Sequence, residues 1–275
     1  MRVEPGLYIV ATPIGNLGDL SPRARDVLAG VNLIAAEDTR HSGKLLAHFG
    51  IATPQISFHE HNERERSPEL LARLERGESI AVISDAGTPL ISDPGLPLVR
   101  DARAAGIPVH AVPGPSAVVA ALSVSGIPTD RFAFEGFLPQ RQAARRKRLD
   151  ELACEPRTLI FYESPHRIVA ALQDMAAAFG AERQACIARE LTKLYETVRT
   201  GALAALVPAA EAEARGEWVV VVAGDPTPPV PQAADLDRML TVLMAELPLK
   251  QAVSLTAKLT GASRNEVYAL ALARK

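Results

Sequence analysis

Four polar segments in the first half of the chain hold residue types that do chemistry: Thr12-Pro13-Ile14-Gly15-Asn16-Leu17-Gly18-Asp19, Glu37-Asp38-Thr39-Arg40-His41, His59-Glu60-His61-Asn62 and the loop that starts at Asp85. Carboxylates and imidazoles can move protons, and a glycine beside them lets backbone N–H groups come close to a ligand. The fourth segment is the most telling. Residues 79–83 read as a buried strand, and the loop behind them, DAGTPLISDPGLP over 85–97, carries three prolines that forbid an ordinary helix and two glycines. A plain surface connection is shorter and more polar than this. At the carboxyl end of a strand in an open α/β sheet, such a loop faces the crevice where ligands settle. His59 and His61, with Asp38 or His41, have a loose metal-type spacing and no cysteine cluster to help them. They read as polar residues that hold a substrate or one another, and no metal site is expected.

Those loops need a frame. Short β-branched runs at Leu7–Ala11, Val31–Ala36, Gln55–Phe58, Ser79–Ser84 and Ile107–Val112 alternate with amphipathic stretches at Ser21–Leu28, Thr39–Phe49, Glu63–Arg76, Leu96–Ala105 and Pro115–Ser125. This alternation predicts a mainly parallel sheet with helices on its faces, so the four loops converge on one edge. Ser67-Pro68 reads as a break or restart inside the third helix.

After Ile127-Pro128 a second series supplies strands at Phe132–Phe134, Thr158–Tyr162, Gln184–Ala188, Glu196–Thr200 and Glu217–Ala223, with helices near Gln142–Leu152 and Ser164–Phe179. Asp225–Pro231 has four prolines in seven residues and reads as a stiff linker. Beyond it the pattern is helical at Ala234–Glu246, Lys250–Thr260 and Ser263–Ala273, and Gly261 followed by Ser263 fits a helix-turn-helix joint or a small packing subdomain. The expected division is an N-terminal α/β domain over 1–127, a second α/β domain over 128–227 and a helical tail over 232–275.

Composition sets wider bounds. With 275 residues, 48% of them hydrophobic and 23% charged, the chain is an ordinary globular protein, and a net charge of −2 argues against a uniformly basic nucleic-acid coat. A polyanion must therefore meet a local patch. Arg141, Arg145, Arg146, Lys147 and Arg148 put five cations into eight residues, which reads as a solvated face or a phosphate-binding one. Cys154 and Cys186 lack metal spacing and fit free thiols in a reducing compartment. No apolar run reaches the ~18 residues of a membrane span, and Leu7–Ala11 is too short for a signal-peptide core, so a cytoplasmic protein is expected. The first loop is neither G-x-G-x-x-G nor G-x-x-x-x-G-K-[ST], so neither NAD nor ATP is favoured. Glu163-Ser164-Pro165-His166-Arg167 joins a strand end to a helix start, and Arg189–Glu196 is a hairpin arm or one wall of a site.

TPIGNLGDLSPRA at 12–24, EDTRHS at 37–42, SFHEHNE at 57–63, SDAGTPLISDPG at 84–95, VPGPSA at 112–117, FYESPHR at 161–167 and RELTKLYE at 189–196 occur in order over nearly the whole chain. Together they closely resemble the 16S ribosomal RNA 2′-O-ribose methyltransferases of the tetrapyrrole methylase superfamily. The resemblance implies S-adenosylmethionine as donor, two α/β domains with the donor in their cleft, a homodimer, and a cytidine of the ribosomal decoding centre as acceptor. Carried over by position, the donor site implicates Pro13 and Ile14, then Asp85, Ala86, Gly87, Thr88 and Ile91, then Ser116 and Ala117, with Glu163 and Leu191 from the second domain. Where wider superfamily members have G-x-G-P-G, this chain has Ala11-Thr12-Pro13-Ile14-Gly15, which speaks against a tetrapyrrole substrate.

A ribose hydroxyl is a poor nucleophile while protonated, so a base or a positive field is expected to assist. The strand-end loops offer Glu60, His61 and Asp38 as catalytic candidates, while Arg40 and Lys193 are expected to hold RNA phosphate or a developing oxyanion. The run containing Arg141, Arg145, Arg146 and Arg148 and the tail helices are expected to bind the rRNA backbone. A small-molecule methylase of the same fold and a non-catalytic RNA-binding protein are the competing expectations.

Overall fold

Hydrophobic alternation builds the first sheet. β1 (Gly6–Val10), β2 (Leu33–Ala36), β3 (Gln55–Ser57), β4 (Ser79–Ile83) and β5 (Val109–Val112) pair in the order β3-β2-β4-β1-β5, every pair parallel. The structure, a computed structural model, describes residues 3–226 and 233–273. Successive strand residues point to opposite faces. Val10, Ile34 and Ile83 pack with Leu28 of α1 (Pro22–Gly30) and Leu46 of α2 (Thr39–His48). Leu7, Ile80 and Val82 pack on the other face with Leu70 of α3 (Glu63–Glu75) and Leu98 of α4 (Leu96–Ala104). Both faces are thus covered, as a parallel sheet requires. β1 and β4 lie side by side although far apart in sequence, and this reversal of strand order opens a crevice at their carboxyl ends.

The second sheet is mixed. β6 (Phe132–Phe137), β7 (Thr158–Glu163), β8 (Gln184–Arg189), β9 (Thr197–Ala202) and β10 (Trp218–Val222) pair in the order β6-β7-β10-β8-β9, parallel between β6 and β7 and antiparallel elsewhere. α6 (Gln142–Leu152), α7 (Ile168–Phe179) and α8 (Leu203–Ala212) cover one face through Leu149, Leu172, Met175 and Leu206. The other face receives α5 (Ala117–Val124): Val118, Ala121 and Leu122 pack against Ile160, Val219 and Val221. The helix that follows β5 therefore leaves its own sheet and seats on the next one.

Three expectations need correction. α3 runs unbroken through Pro68, because the carbonyl that lacks a partner there is that of Arg64, an exposed residue. α7 begins at Ile168 rather than Ser164, since residues 164–167 form a turn in which Arg167 N–H donates to Ser164 O at 3.1 Å. α8, with Pro208 inside it, was not expected.

The chain divides into two compact units, Met1–Gly224 and Asp225–Lys275. The expected linker over Asp225–Pro231 lies, from residue 227 on, outside the described residues. In the second unit α9 (Ala233–Glu246), α10 (Leu249–Thr260) and α11 (Arg264–Leu272) close around Leu240, Val253 and Val267. The α10–α11 joint works through its two cap residues: Gly261 takes φ +72° and its N–H donates to Ala257 O, while the Ser263 hydroxyl accepts the N–H of Glu266 at 3.2 Å.

Candidate active site

Backbone ties lock the strand-end loops of the first sheet together. Thr12 and Gly87 exchange both backbone hydrogen bonds, at 2.8 and 3.1 Å, which zips the loop after β1 to the loop after β4. Gly87 sits at φ +83°, and a Cβ there would meet Ile14 Cγ2 at 3.3 Å, so the position needs glycine. The Thr88 hydroxyl donates to Pro115 O at 3.1 Å and fixes the loop that leads into α5. On the other side Asp85 N–H donates to Glu37 Oε2 at 3.2 Å, and Asp38 N–H donates to Asp85 Oδ1 at 3.1 Å.

These loops and the second sheet enclose a cavity of about 430 Å³. Its walls include Ile14, the Asp85-Ala86-Gly87-Thr88 run and Ile91. Ser116 and Ala117 bring the positive end of α5 to it. Glu163, Leu191 and Trp218 close it from the second sheet. Pro13 is buried next to Ile14 and is not one of the lining residues. Apolar walls with a helix N-terminus, bare glycine backbone and several carboxylates suit a nucleoside that carries a charged amino-acid arm. One observation supports that fit directly: Gly87 presents bare backbone at the cavity wall, where an added Cβ would close on Ile14 Cγ2 at 3.3 Å.

Asp85 and Glu163 stand on this wall as expected, but the three catalytic candidates do not. Glu60 and His61 stand exposed on the turn after β3 and do not line the cavity. The Asp38 carboxylate caps α2 by accepting Arg40 N–H at 2.8 Å, and this hydrogen bond, with the Arg40 side chain 3.5 Å away, holds it below the ordinary carboxylate range. A carboxylate so engaged is a weak base. Glu37, Asp85 and Asp93 face the cavity instead. Burial pushes the Glu37 carboxyl up, and burial with the like charges of Glu37 and Asp85 raises that of Asp93 to about 6. Asp93 was legible as part of the proline-rich loop, and Glu37 as the neighbour of Asp38 at the end of β2, but strand-end placement alone could not rank them.

The loop that carries Asp93 is held tightly. Leu90 and Ser92 have φ of +73° and +68°, a left-handed conformation that costs an L residue about 1–2 kcal/mol. Glu63 Oε2 accepts the N–H of Gly95 at 3.0 Å and anchors the far end of the loop to α3.

On the second sheet, Glu163 is 2% exposed, its Oε1 accepts Ser164 N–H at 2.8 Å and Oε2 pairs with Arg167 at 3.2 Å. Burial raises its carboxyl above the usual range all the same. Lys193 donates to Glu190 at 2.8 Å and Glu217 at 3.0 Å. Its side chain rests against Gly15, where a Cβ would collide with Lys193 Cγ, so the loop after β8 interlocks with the loop after β1. The Lys193 charge is thus spent inside the protein. Arg40, by contrast, is 92% exposed.

The basic run on α6 is also corrected. Arg145 is buried and pairs with Asp174, so it cannot face RNA. Arg146 shares the same carboxylate at 2.7 Å with its own side chain half exposed, and Arg148 is held by Glu135 and Glu151 at 2.6 and 3.0 Å. Arg141, Arg146 and Lys147 remain at the surface. His59 and His61 rings lie 5.9 Å apart, and among the described residues there is no cluster of three or more potential metal ligands. Nor, among them, is any helix long and apolar enough to cross a membrane.

Comparison with known proteins fits this geometry. The family described as Tetrapyrrole (Corrin/Porphyrin) Methylases matches residues 6–207, and the RsmI C-terminal HTH domain matches residues 230–275. A protein of Pseudomonas aeruginosa named Ribosomal RNA small subunit methyltransferase I is 55% identical over 98% of this chain and 97% of its own length. A Xylella fastidiosa protein of the same name is 55% identical over 96% and 98%. Among solved structures, the uroporphyrin-III C-methyl transferase of Thermus thermophilus complexed with S-adenyl homocysteine superposes with a TM-score of 0.55 at 19% identity, covering 79% of this chain and 97% of that one, a likeness of fold. The chain belongs to the tetrapyrrole methylase family, in the branch of the ribosomal RNA small subunit methyltransferase I proteins, and is a methyltransferase that uses S-adenosylmethionine.

Proposed function

We propose that this enzyme methylates the ribose 2′-hydroxyl of a cytidine in the decoding centre of 16S rRNA, acting in the cytoplasm as a homodimer. The observation that carries the reading is the cavity itself, walled by both sheets and floored by the start of α5, in a chain alike from end to end to small-subunit rRNA methyltransferases. S-adenosylmethionine supplies a methyl group on a sulfonium, a carbon activated for attack by oxygen. The chain's residues then have three tasks. Ile14, Ala86, Gly87, Thr88, Ile91, Ser116, Ala117 and Leu191 hold the donor, with Pro13 shaping the first loop, Asp85 fixing the β2 and β4 loops to one another, and Glu163 ordering the second-sheet wall. Exposed Arg40, Arg141 and Arg146, with Arg148 partly exposed, meet the RNA backbone. Holding acceptor oxygen and methyl carbon in line supplies much of the acceleration.

The test is transfer of labelled methyl to small ribosomal subunits from a strain lacking the endogenous enzyme, followed by nucleoside analysis. Formation of 2′-O-methylcytidine is expected. Label on a base, or label on a free tetrapyrrole precursor with none in RNA, overturns the reading.

A further inference from the structure

We infer that Phe137 is a stacking platform for the base of the acceptor nucleotide, turned toward the cavity by a bulge in β6. This rests on the reading that the acceptor is a nucleotide of RNA. Where β6 pairs with β7, Ala133 matches Leu159 and Phe134 matches Ile160. Ala133 and Leu159 pack on the α6 side of the sheet, Phe134 and Ile160 on the α5 side. Strict alternation would send Phe137 to the side of Ala133, into the core under α6. The register shifts between Phe134 and Gly136, however, so that Gly136 matches Phe161 and Phe137 matches Tyr162. One inserted residue thus moves Phe137 to the other face. Its neighbours keep the α6 side: Glu135 pairs with Arg148 at 2.6 Å, and Leu138 is buried in that core. Gly136 takes φ +66°, and a Cβ there would come within 3.1 Å of Ser92 Oγ, so the end of β6 meets the loop after β4.

The bulge delivers an aromatic ring to the cavity wall and leaves it 57% exposed. Tyr162, on the same wall, meets that ring edge-on with centroids 5.5 Å apart and is itself met by Phe134 at 4.9 Å. The ring is therefore held from behind and open toward a ligand. A large apolar side chain turned out of a core forfeits its burial until something covers it. Two properties name the occupant. Bases outside a duplex are held by stacking on aromatic side chains, and every base offers a flat face for it. Exposed Arg141 follows four residues later at the start of α6, at most about 14 Å along the chain, so a phosphate joined to the stacked base meets a cation. S-adenosylmethionine, the other planar occupant of the cavity, carries no phosphate for that cation. Stacking fixes the plane of the acceptor base and, through the glycosidic bond, the place of its ribose, which is what an in-line methyl transfer requires.

The experiment compares the wild-type enzyme with Phe137→Ala, Phe137→Leu and Phe137→Tyr in two measurements. These are kcat and KM for small ribosomal subunits from a strain lacking the endogenous enzyme, at saturating S-adenosylmethionine, and calorimetric affinity for S-adenosylhomocysteine. Expected for Phe137→Ala is a fall of about 5–150-fold in kcat/KM for the subunit, with product affinity within about threefold of wild type. Phe137→Leu, apolar but not planar, should fall about as far, while Phe137→Tyr, which keeps the ring, should return to within about threefold of wild type. Wild-type kcat/KM in Phe137→Ala or Phe137→Leu overturns the inference, and so does a Phe137→Tyr that recovers nothing. A loss of product affinity that matches the loss of kcat/KM also overturns it and assigns the ring to the donor. If wild-type enzyme forms 2′-O-methylcytidine and the variants equal it, the inference alone fails. If wild type leaves RNA unlabelled, the proposed function fails and the stacking platform with it.

Discussion

Arg145 Nη2 and Asp174 Oδ2 meet at 2.6 Å, with the two side chains 5% and 2% exposed, so α6 is bolted to α7 by a buried ion pair. Burial resists the Asp174 charge, but Arg146 and Arg145 together hold its carboxyl below the ordinary range. Removing one partner of such a pair strands the other charge. Arg145→Ala is expected to cost about 3–5 kcal/mol in denaturant unfolding, whereas Arg146→Ala, whose side chain is 58% exposed, costs under about 1 kcal/mol. A small loss at Arg145 would show that the pair is solvated in solution.

Gly87→Ala forces a side chain onto a backbone at φ +83° and drives a methyl against Ile14. The expected result is about 1–2 kcal/mol of lost stability from the backbone alone. Because Gly87 and Ile14 both wall the cavity, S-adenosylhomocysteine affinity should fall by about tenfold or more, read by calorimetry.

Asp93→Asn is expected to make the protein more stable at pH 7.5. The folded carboxyl, raised to about 6, holds its proton more tightly than the unfolded one at about 3.9. Between those values the folded state binds more protons, so wild-type stability falls as pH rises through the window and stays lowered above it. The Tm advantage of Asp93→Asn should therefore be present at pH 7.5 and fade below pH of about 4. An advantage that is independent of pH would trace the effect to packing instead.

Arg40 sits at the start of α2 with nearly its whole side chain in solvent. Arg40→Ala should weaken binding to small-subunit RNA and reduce the slope of log affinity against log salt by about one, with S-adenosylhomocysteine affinity unchanged. An unchanged salt slope would take Arg40 out of the RNA contact.

Strand periodicity made the first sheet legible: β4 reads as a wholly buried run, and Pro22 or Gly261 marks helix ends by backbone chemistry alone. α8 escaped because LAALVPAAEA has little amphipathic contrast and a central proline, and tertiary packing of Leu203 and Leu206 decides it. Site loops were legible as loops, and the carryover from family motifs named about half of the cavity wall. What spacing could not supply was side-chain direction. Arg145 and Arg146 are sequence neighbours, yet one is core and the other surface. Asp38 and Glu37 are likewise adjacent, and only the three-dimensional edge of β2 separates a helix cap from a cavity carboxylate.

α5 follows a strand of the first sheet and seats on the second, and the cavity opens where that crossing is made. Any occupant therefore acts as a brace between two halves of the fold, touching Gly87 on one side and Trp218 on the other. By mass action a ligand at a hundredfold excess over its Kd adds about 2.7 kcal/mol to the folded state, a large share of the stability of an ordinary domain. With the donor site placed there as proposed, the endurance of this enzyme is tied to the supply of its own donor and to the build-up of the spent product.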